Sequence, residues 1–440
     1  MTPLNSNWTA RKHRLSLSEA EFRPLLASQA HDFLLVANGL MELSPEQWTQ
    51  RQLVHLFQSA TDLETYLDDF GAPDNRNFFK VRELVAVTRW LSVSVSSLVH
   101  LYSRIPSYHF PDQGWAEKVL KVESREAALS LAQRIFQSLR ALREAWLSLG
   151  MVWPDAVTRE ESLGAAAPAY QLPRTRAEKK GERQENHASD AAQVAARTLR
   201  LIRLYDGAEP FFVKGLEKLQ KVFFRYCTEE KNRKMESKIH NLQTFYDNQV
   251  SGSAEEKEQP SLPSLRGSIS GALHLYEAGT ALAHLLERHP GPLFAGDSER
   301  ERSEEEFLNI VVNRCVLNGY NCLKKVEVVA TNVLGSFTDQ SSVSLFLPEG
   351  VSLHARPISH IVSIVNHHKT PVEVAMGDDS ANASSIMQML VMAGANPSCR
   401  KMQFVGDQRV LDDLAALFEA RLGEGGFDLF PQELDYLRPS

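Results

Sequence analysis

The chain has 440 residues, 43% hydrophobic and 23% charged, an ordinary globular composition, and at about 150 residues per domain the length implies about three structural units. Its 23 glycines and 20 prolines exclude collagen-like and wholly disordered chains. Forty-eight Lys and Arg against 55 Asp and Glu give a formal net charge of −7, so the chain as a whole has no general attraction to nucleic acid or to an anionic bilayer.

The N-terminal stretch MTPLNSNWTARKHRLSLSE lacks the apolar core of a secretory signal, and the cytoplasm is the expected compartment. Residues 1–160 read as a helical bundle. Ser18 and Glu21 have capping-box spacing ahead of Phe22, Leu25, Leu26, Phe33 and Val36. Ser44-Pro45-Glu46-Gln47 predicts a second start, with a helix carrying Trp48, Leu53, Leu56 and Phe57 through Leu63 and Leu67. Residues 77–104 form a third helical region. Arg89, His100 and several serines interrupt the apolar run from Leu84 to Tyr102, which argues against a membrane span. A fourth helix covers 124–149, ended by Gly150, with Leu129, Ala132, Phe136, Leu139, Leu142 and Trp146 at helical spacing.

Residues 161–188 have no apolar face and alternate in charge sign, so they read as a flexible linker. A second helical block follows over 189–337, with a loop at 251–264. Within it the basic run Lys231 to Lys238 reads as a solvated helix face. The cysteines, Cys227, Cys315, Cys322 and Cys399, form no CxxC pair and read as reduced thiols.

Near Ser341 the period changes from 3.6 to 2. Val343, Leu345 and Leu347 alternate with Ser342, Ser344 and Phe346, and Val372, Val374 and Met376 alternate again. Met402 and Phe404 mark a further strand, and helices fall at 355–367, 384–394 and 407–422. The fold class is therefore multidomain: an all-α N-terminal region, then an α+β domain over 341–425 with helices on one face of a mostly antiparallel sheet. Residues 426–440 read as a tail.

Within this domain Leu353-His354-Ala355-Arg356-Pro357 resembles the active-site turn of HPr, the histidine-containing phosphocarrier of the bacterial phosphotransferase system. The resemblance extends over roughly 343–422, through VEVAMGDDSANASSIMQMLVMAGA and the last helix DQRVLDDLAALFEARL. It implies an open-faced β-sandwich with His354 as phosphohistidine through Nδ1 and Arg356 as the phosphate-stabilising cation. The chemistry suits the residues. A neutral imidazole is nucleophilic near pH 7, and a helix starting at Ala355 offers free N–H groups and its positive dipole end to phosphate oxygens. The guanidinium fork fits phosphate better than lysine, and Pro357 in the first turn loses only an amide without a helical partner. One departure is Ser352, where HPr proteins usually carry glycine.

The resemblance further places Ser385 at the family's regulatory phosphorylation position, although Ser384 or Ser385 would equally serve as an N-cap. It makes Ile386, Met387 and Leu390, with Val391, a partner-docking patch in which some side chains must also be core. Implied partners are enzyme I and IIA-type proteins, and for Ser385 an HPr kinase/phosphorylase. Neither nucleic-acid binding nor membrane insertion is expected, and no cofactor or metal. His360, His367 and His368 lack a complete ligand set and read as solvated, while His55, His100, His240 and His274 lack the Lys-Gly-Ser signature of histidine phosphotransfer bundles. The expected function is a phosphocarrier rather than an autonomous enzyme. The alternative is a regulatory interaction protein whose HPr-like domain senses phosphotransferase status and controls the helical region. Oligomerisation through that region is a third possibility.

Overall fold

Ser18 accepts the Glu21 N–H and the Glu21 carboxylate accepts the Ser18 N–H at 3.0 Å, and this reciprocal cap starts helix α1 (Glu19–Gln29), followed by α2 (His31–Met41). The computed structural model describes residues 17–157, 189–205, 210–294, 300–337, 340–368, 370–377, 379–426 and 430–438. At Ser44 the outcome differs from the expectation. Its box with Gln47 forms but closes a single 3-10 turn, Pro45–Gln47. Trp48 then turns extended, with its ring buried and its indole N–H donating to the Leu40 carbonyl at 3.0 Å. A second box, Thr49 with Gln52, starts α3 (Gln50–Asp69).

The helical region continues with α4 (Phe79–Arg104) and α5 (Lys121–Ser148), which ends before Gly150 at φ 72°. Then come α6 (Asp190–Arg203), α7 (Leu216–Tyr226), α8 (Glu229–Phe245) and α9 (Leu262–Arg288). Helix α10 (Arg300–Asn309) runs through π-helical turns, Ile310–Leu317, into α11 (Asn318–Lys325), and α12 (Glu327–Phe337) closes the region. By length and composition α4 is apolar enough to cross a membrane, yet it is a core helix. Its Leu84, Leu91, Leu98 and Leu101 are buried, and it packs along α3, α5 and α9. One hydrophobic cluster takes in buried residues from Phe22 to Trp153 and from Ala191 to Leu334, so the two helical stretches share a core. The predicted linker 161–188 lies outside the described residues. The predicted loop 251–264 holds a short helix, Ala254–Glu258, capped by Ser253, and α9 already begins at Leu262.

The α+β domain runs β1 (Gln340–Phe346), α13 (Ala355–His368), β2 (Glu373–Met376), β3 (Asp379–Asn382), α14 (Ile386–Ala395), β4 (Lys401–Asp407) and α15 (Gln408–Glu419). The sheet order is β1-β4-β2-β3 and every neighbouring pair is antiparallel. Strand alternation sends Val374, Met402 and Phe404 inward, where they meet Ile358, Ile361, Met389 and Leu414 in a core separate from that of the helical region.

The predicted tail belongs to this fold where it is described. Phe430 and Leu434 are buried in the domain core, because the chain after α15 folds back over the open end of α13. Tyr436 donates to Asp413 Oδ2 at 2.6 Å, and the His368 Nε2 meets the same oxygen at 2.7 Å. Those contacts correct the reading of His368 as solvated: it is buried, and its partner comes from a different helix. Between the two regions, Arg203 on α6 meets Glu373 on β2 at 2.5 Å. Beside that pair α6 and α12 line, with β2 and β3, a cleft of about 770 Å³.

Candidate functional site

The turn between β1 and α13 is shaped by what flanks it. Val351 is buried and donates to the Pro348 carbonyl at 3.0 Å. Pro357, Ile358 and Ile361 turn α13 into the core, and that leaves His354, Ala355 and Arg356 exposed on the first turn. His354 is the N-cap residue, since its carbonyl accepts the Ile358 N–H at 3.2 Å. Its side chain is 51% exposed.

Both ring nitrogens of His354 have neighbours. The Arg356 backbone N–H donates to Nδ1 at 3.4 Å, while Nε2 lies 3.2 Å from Glu424 Oε1. A backbone N–H can only donate and a carboxylate can only accept, so in the neutral ring the proton is assigned to Nε2 and the lone pair to Nδ1. The first-turn N–H groups and the positive end of the helix dipole surround that lone pair. The Arg356 side chain is exposed, and among the described residues it forms no ion pair. Arg421 and Leu422 are the non-glycine residues with positive φ among those described. Ser352 therefore sits in ordinary backbone space, and this turn does not require the freedom of a glycine there.

Sequence reasoning missed Glu424. It is delivered by a left-handed turn after α15, in which Arg421, Leu422 and Gly423 have φ of 55°, 57° and 80°. Arg421 donates to the Glu349 carbonyl at 2.7 Å, and the His360 Nδ1 lies 3.1 Å from the Leu422 carbonyl. A Cβ at Gly423 would stand 2.4 Å from that Nδ1. The available signal was Gly423 just past a helix end, which marks a turn but not where the turn leads.

Ser385 caps α14: its Oγ accepts the Gln388 N–H at 3.4 Å. Ser384 instead donates to Asn382 Oδ1 at 2.8 Å. Ile386, Met387 and Val391 are exposed, whereas Leu390 is partly buried against the core above Met389 and Met392. The patch is therefore split, with Leu390 on its core side, and α14 packs beside α13.

Elsewhere, His100 and His274 meet edge to face at 4.5 Å between centroids, and the His274 Nδ1 lies 2.8 Å from Glu277. Burial pushes the thiols of Cys227 and Cys315 up to about 12 and raises that of Cys322 as well, so these act as apolar side chains rather than nucleophiles. Among the described residues no group of three His, Cys, Asp or Glu side chains is placed to hold a metal ion.

Comparison with known proteins gives one finding. A family model described as the PTS HPr component phosphorylation site matches residues 346–420, a span from the end of β1 through α15. No curated protein and no solved structure matches the chain. The match covers β2 to β4, the His354 turn and the three helices described above, and supports a phosphocarrier-type module that interacts with phosphotransferase components rather than a self-contained enzyme. The C-terminal segment of this chain is an HPr-like domain.

Proposed function

We propose that this chain is a cytoplasmic phosphocarrier: His354 accepts a phosphoryl group from phosphorylated enzyme I and passes it to IIA-type acceptors of a phosphoenolpyruvate-dependent phosphotransferase system. The Nδ1 lone pair attacks phosphorus as the donor's bond to it breaks, and the donor keeps that electron pair. The His354 ring retains its Nε2 proton and becomes cationic, and the Glu424 carboxylate 3.2 Å away offsets the new charge. The phosphate oxygens meet the Ala355 N–H, the Arg356 N–H that loses its Nδ1 acceptor when that lone pair bonds to phosphorus, and the Arg356 guanidinium. Onward transfer reverses the step on a IIA-type acceptor. Ser385 is the candidate regulatory phosphoserine for an HPr kinase/phosphorylase, and Ile386, Met387 and Leu390 are the candidate docking patch.

The observation that carries this reading is the assignment of the His354 lone pair to Nδ1, at an exposed helix start that also bears Arg356. Incubation with enzyme I and labelled phosphoenolpyruvate tests it. Acid-labile, base-stable label on the wild type and none on His354→Ala is the expected result. An unlabelled wild type overturns the proposal, and equal labelling of His354→Ala moves the site elsewhere.

A second reading, in which the domain reports phosphotransferase status to the helical region, is favoured by the Arg203–Glu373 contact and the cleft beside it. There β2 and β3 face α6 and α12 across the cleft, bridged at one point by the ion pair.

A further inference from the structure

Charge is unevenly distributed along this chain. Residues 211–240, FFVKGLEKLQKVFFRYCTEEKNRKMESKIH, carry eight Lys and Arg against four Glu, although acidic residues outnumber basic ones 55 to 48 overall. The same stretch displays Phe211, Phe212 and Phe224 at 69%, 59% and 67% exposure, with Tyr226 also exposed. A cluster of open phenylalanines inside a basic island calls for a partner that is both anionic and apolar.

The rings are held out by structure. Val213 is buried, and its backbone is fixed from both sides by the buried Asn313. The Asn313 Oδ1 accepts the Val213 N–H at 3.0 Å, and its amide donates to the Val213 carbonyl at 2.8 Å. On either side of that anchor Phe212 and Lys214 are exposed, and the Lys214 ammonium stands over the Phe212 ring at 5.5 Å. Helix α7 turns Leu219 and Phe223 into the core. At about 100° per residue this sends Lys218, Lys221, Phe224 and Arg225 to the opposite face, and all four are exposed. Glu217 on that face is paired with Lys221 at 2.6 Å. A helix of this length spans about 16 Å, with Phe211 and Phe212 on the segment that leads into it and Phe224 on its last turn.

We infer that this face docks the protein peripherally on an anionic lipid bilayer. Phe211, Phe212 and Phe224 enter the boundary between headgroups and acyl chains, and Lys214, Lys218, Lys221 and Arg225 meet lipid phosphates. Lysine stems reach the headgroups while the rings lie deeper, the arrangement an interface favours. Nucleic acid would match the charge but would leave Phe211 and Phe212, on the segment before α7, and Phe224, on α7 itself, without stacked bases. The net charge of −7 does not oppose the inference. Acidic neighbours, among them Glu217 and the Glu304 that accepts from Gln220 at 2.7 Å, border the patch and limit the attraction to Lys214, Lys218, Lys221 and Arg225.

Flotation of the full chain with vesicles tests this. One set is phosphatidylcholine alone; the other carries about one quarter phosphatidylglycerol. The protein is expected to float with the anionic vesicles in low salt, to stay behind with neutral ones, and to be released in about 1 M salt. Phe212→Ser/Phe224→Ser and Lys218→Glu/Lys221→Glu are each expected to cut the bound fraction about tenfold, with circular dichroism unchanged. If a double variant loses helicity, Lys218→Glu alone carries the comparison. Failure of the wild type to float with anionic vesicles, equal flotation with both sets, or variants that bind as the wild type does would each overturn the inference. So would retention on immobilised DNA without any binding to vesicles.

Discussion

Glu424 and His354 meet at 3.2 Å across the mouth of the α+β domain, the carboxylate on Nε2 and the Arg356 amide on the opposite nitrogen. Because the carboxylate accepts, removing it frees the neutral ring to move its proton. Glu424→Ala is expected to raise the population of the Nδ1-protonated tautomer, read from the ring 15N shifts at alkaline pH, and to slow phosphoryl acceptance. A half-exposed pair contributes about 0.2–1 kcal/mol, so the slowing is about 1.5- to 5-fold. Glu424→Gln keeps an acceptor oxygen and is expected to restore the tautomer but not the charge. Identical 15N shifts in wild type and Glu424→Ala would remove Glu424 from this role.

Gly423 is the hinge of that contact. Its φ is 80°, and a Cβ would meet His360 Nδ1 at 2.4 Å and Phe430 at 3.0 Å. Gly423→Ala is expected to destabilise the α+β domain by about 1–3 kcal/mol and to reproduce the Glu424→Ala tautomer shift, since Glu424 is the next residue. Thermal unfolding and the same 15N spectra check both. Loss of stability with unchanged ring shifts would separate the turn from the site.

How much was legible in the sequence follows from where each determinant lies along the chain. The His354 turn is five consecutive residues bounded by a strand with period-2 alternation, Val343, Leu345 and Leu347, so both the domain and its candidate site could be read locally. Glu424 could not, because its placement depends on Arg421 and Leu422 adopting a backbone that non-glycine residues rarely take. The box at Ser44 was legible, but the length of its helix was not, since the burial of Trp48 decided it. His368 looked like half of a solvated pair because its partner, Asp413, arrives on α15. Phe430 and Leu434 are too few and too widely spaced to show a period, yet the core of α13 and α15 takes them in.

Ser385 is a cap in this structure, and stability measurements can isolate that role. Ser385→Ala is expected to cost about 0.5–2 kcal/mol, whereas Ser385→Asp keeps an acceptor for the Gln388 N–H and places negative charge at a helix N-terminus. The aspartate variant should therefore match the wild type in stability while altering any partner affinity that depends on charge near Met387. Denaturant unfolding of both variants tests the first half. Wild-type stability in Ser385→Ala would show that the 3.4 Å contact does not hold α14.

The helical region should lose stability in mild acid. His284 stacks on Trp90 at 4.1 Å, and burial holds its pKa below the ordinary histidine value although Glu229, 3.1 Å away, pulls it upward. Burial lowers that of His100 as well. An unfolded histidine takes up its proton near pH 6.5, whereas these folded rings do so at lower pH. Below about pH 6.5 the unfolded state thus binds more protons, and stability, complete above that pH, declines by up to about 1.4 kcal/mol per unit for each ring. The paired Glu229 has its pKa lowered, so its own loss falls in a more acidic window. Melting curves between about pH 7.5 and 5.5 should move downward, and His284→Gln should flatten the trend. An unchanged slope in that variant assigns the acid response to other groups.

Arg203 and Glu373 join the two regions at 2.5 Å, with their side chains 50% and 55% exposed. Exposed pairs contribute about 0.2–1 kcal/mol, and in about 1 M salt the screening length falls to about 3 Å. This pair alone therefore holds the HPr-like domain on α6 only weakly. Arg203→Glu is expected to increase the radius of gyration in solution scattering, as is high salt, while Arg203→Glu/Glu373→Arg returns it towards the wild-type value in low salt. A scattering curve indifferent to Arg203→Glu would mean that other contacts hold the regions together. If the curve does respond, repeating it on protein phosphorylated at His354 separates the two functional readings. A carrier alone leaves the radius unchanged, whereas a domain that reports its state to the helices changes it.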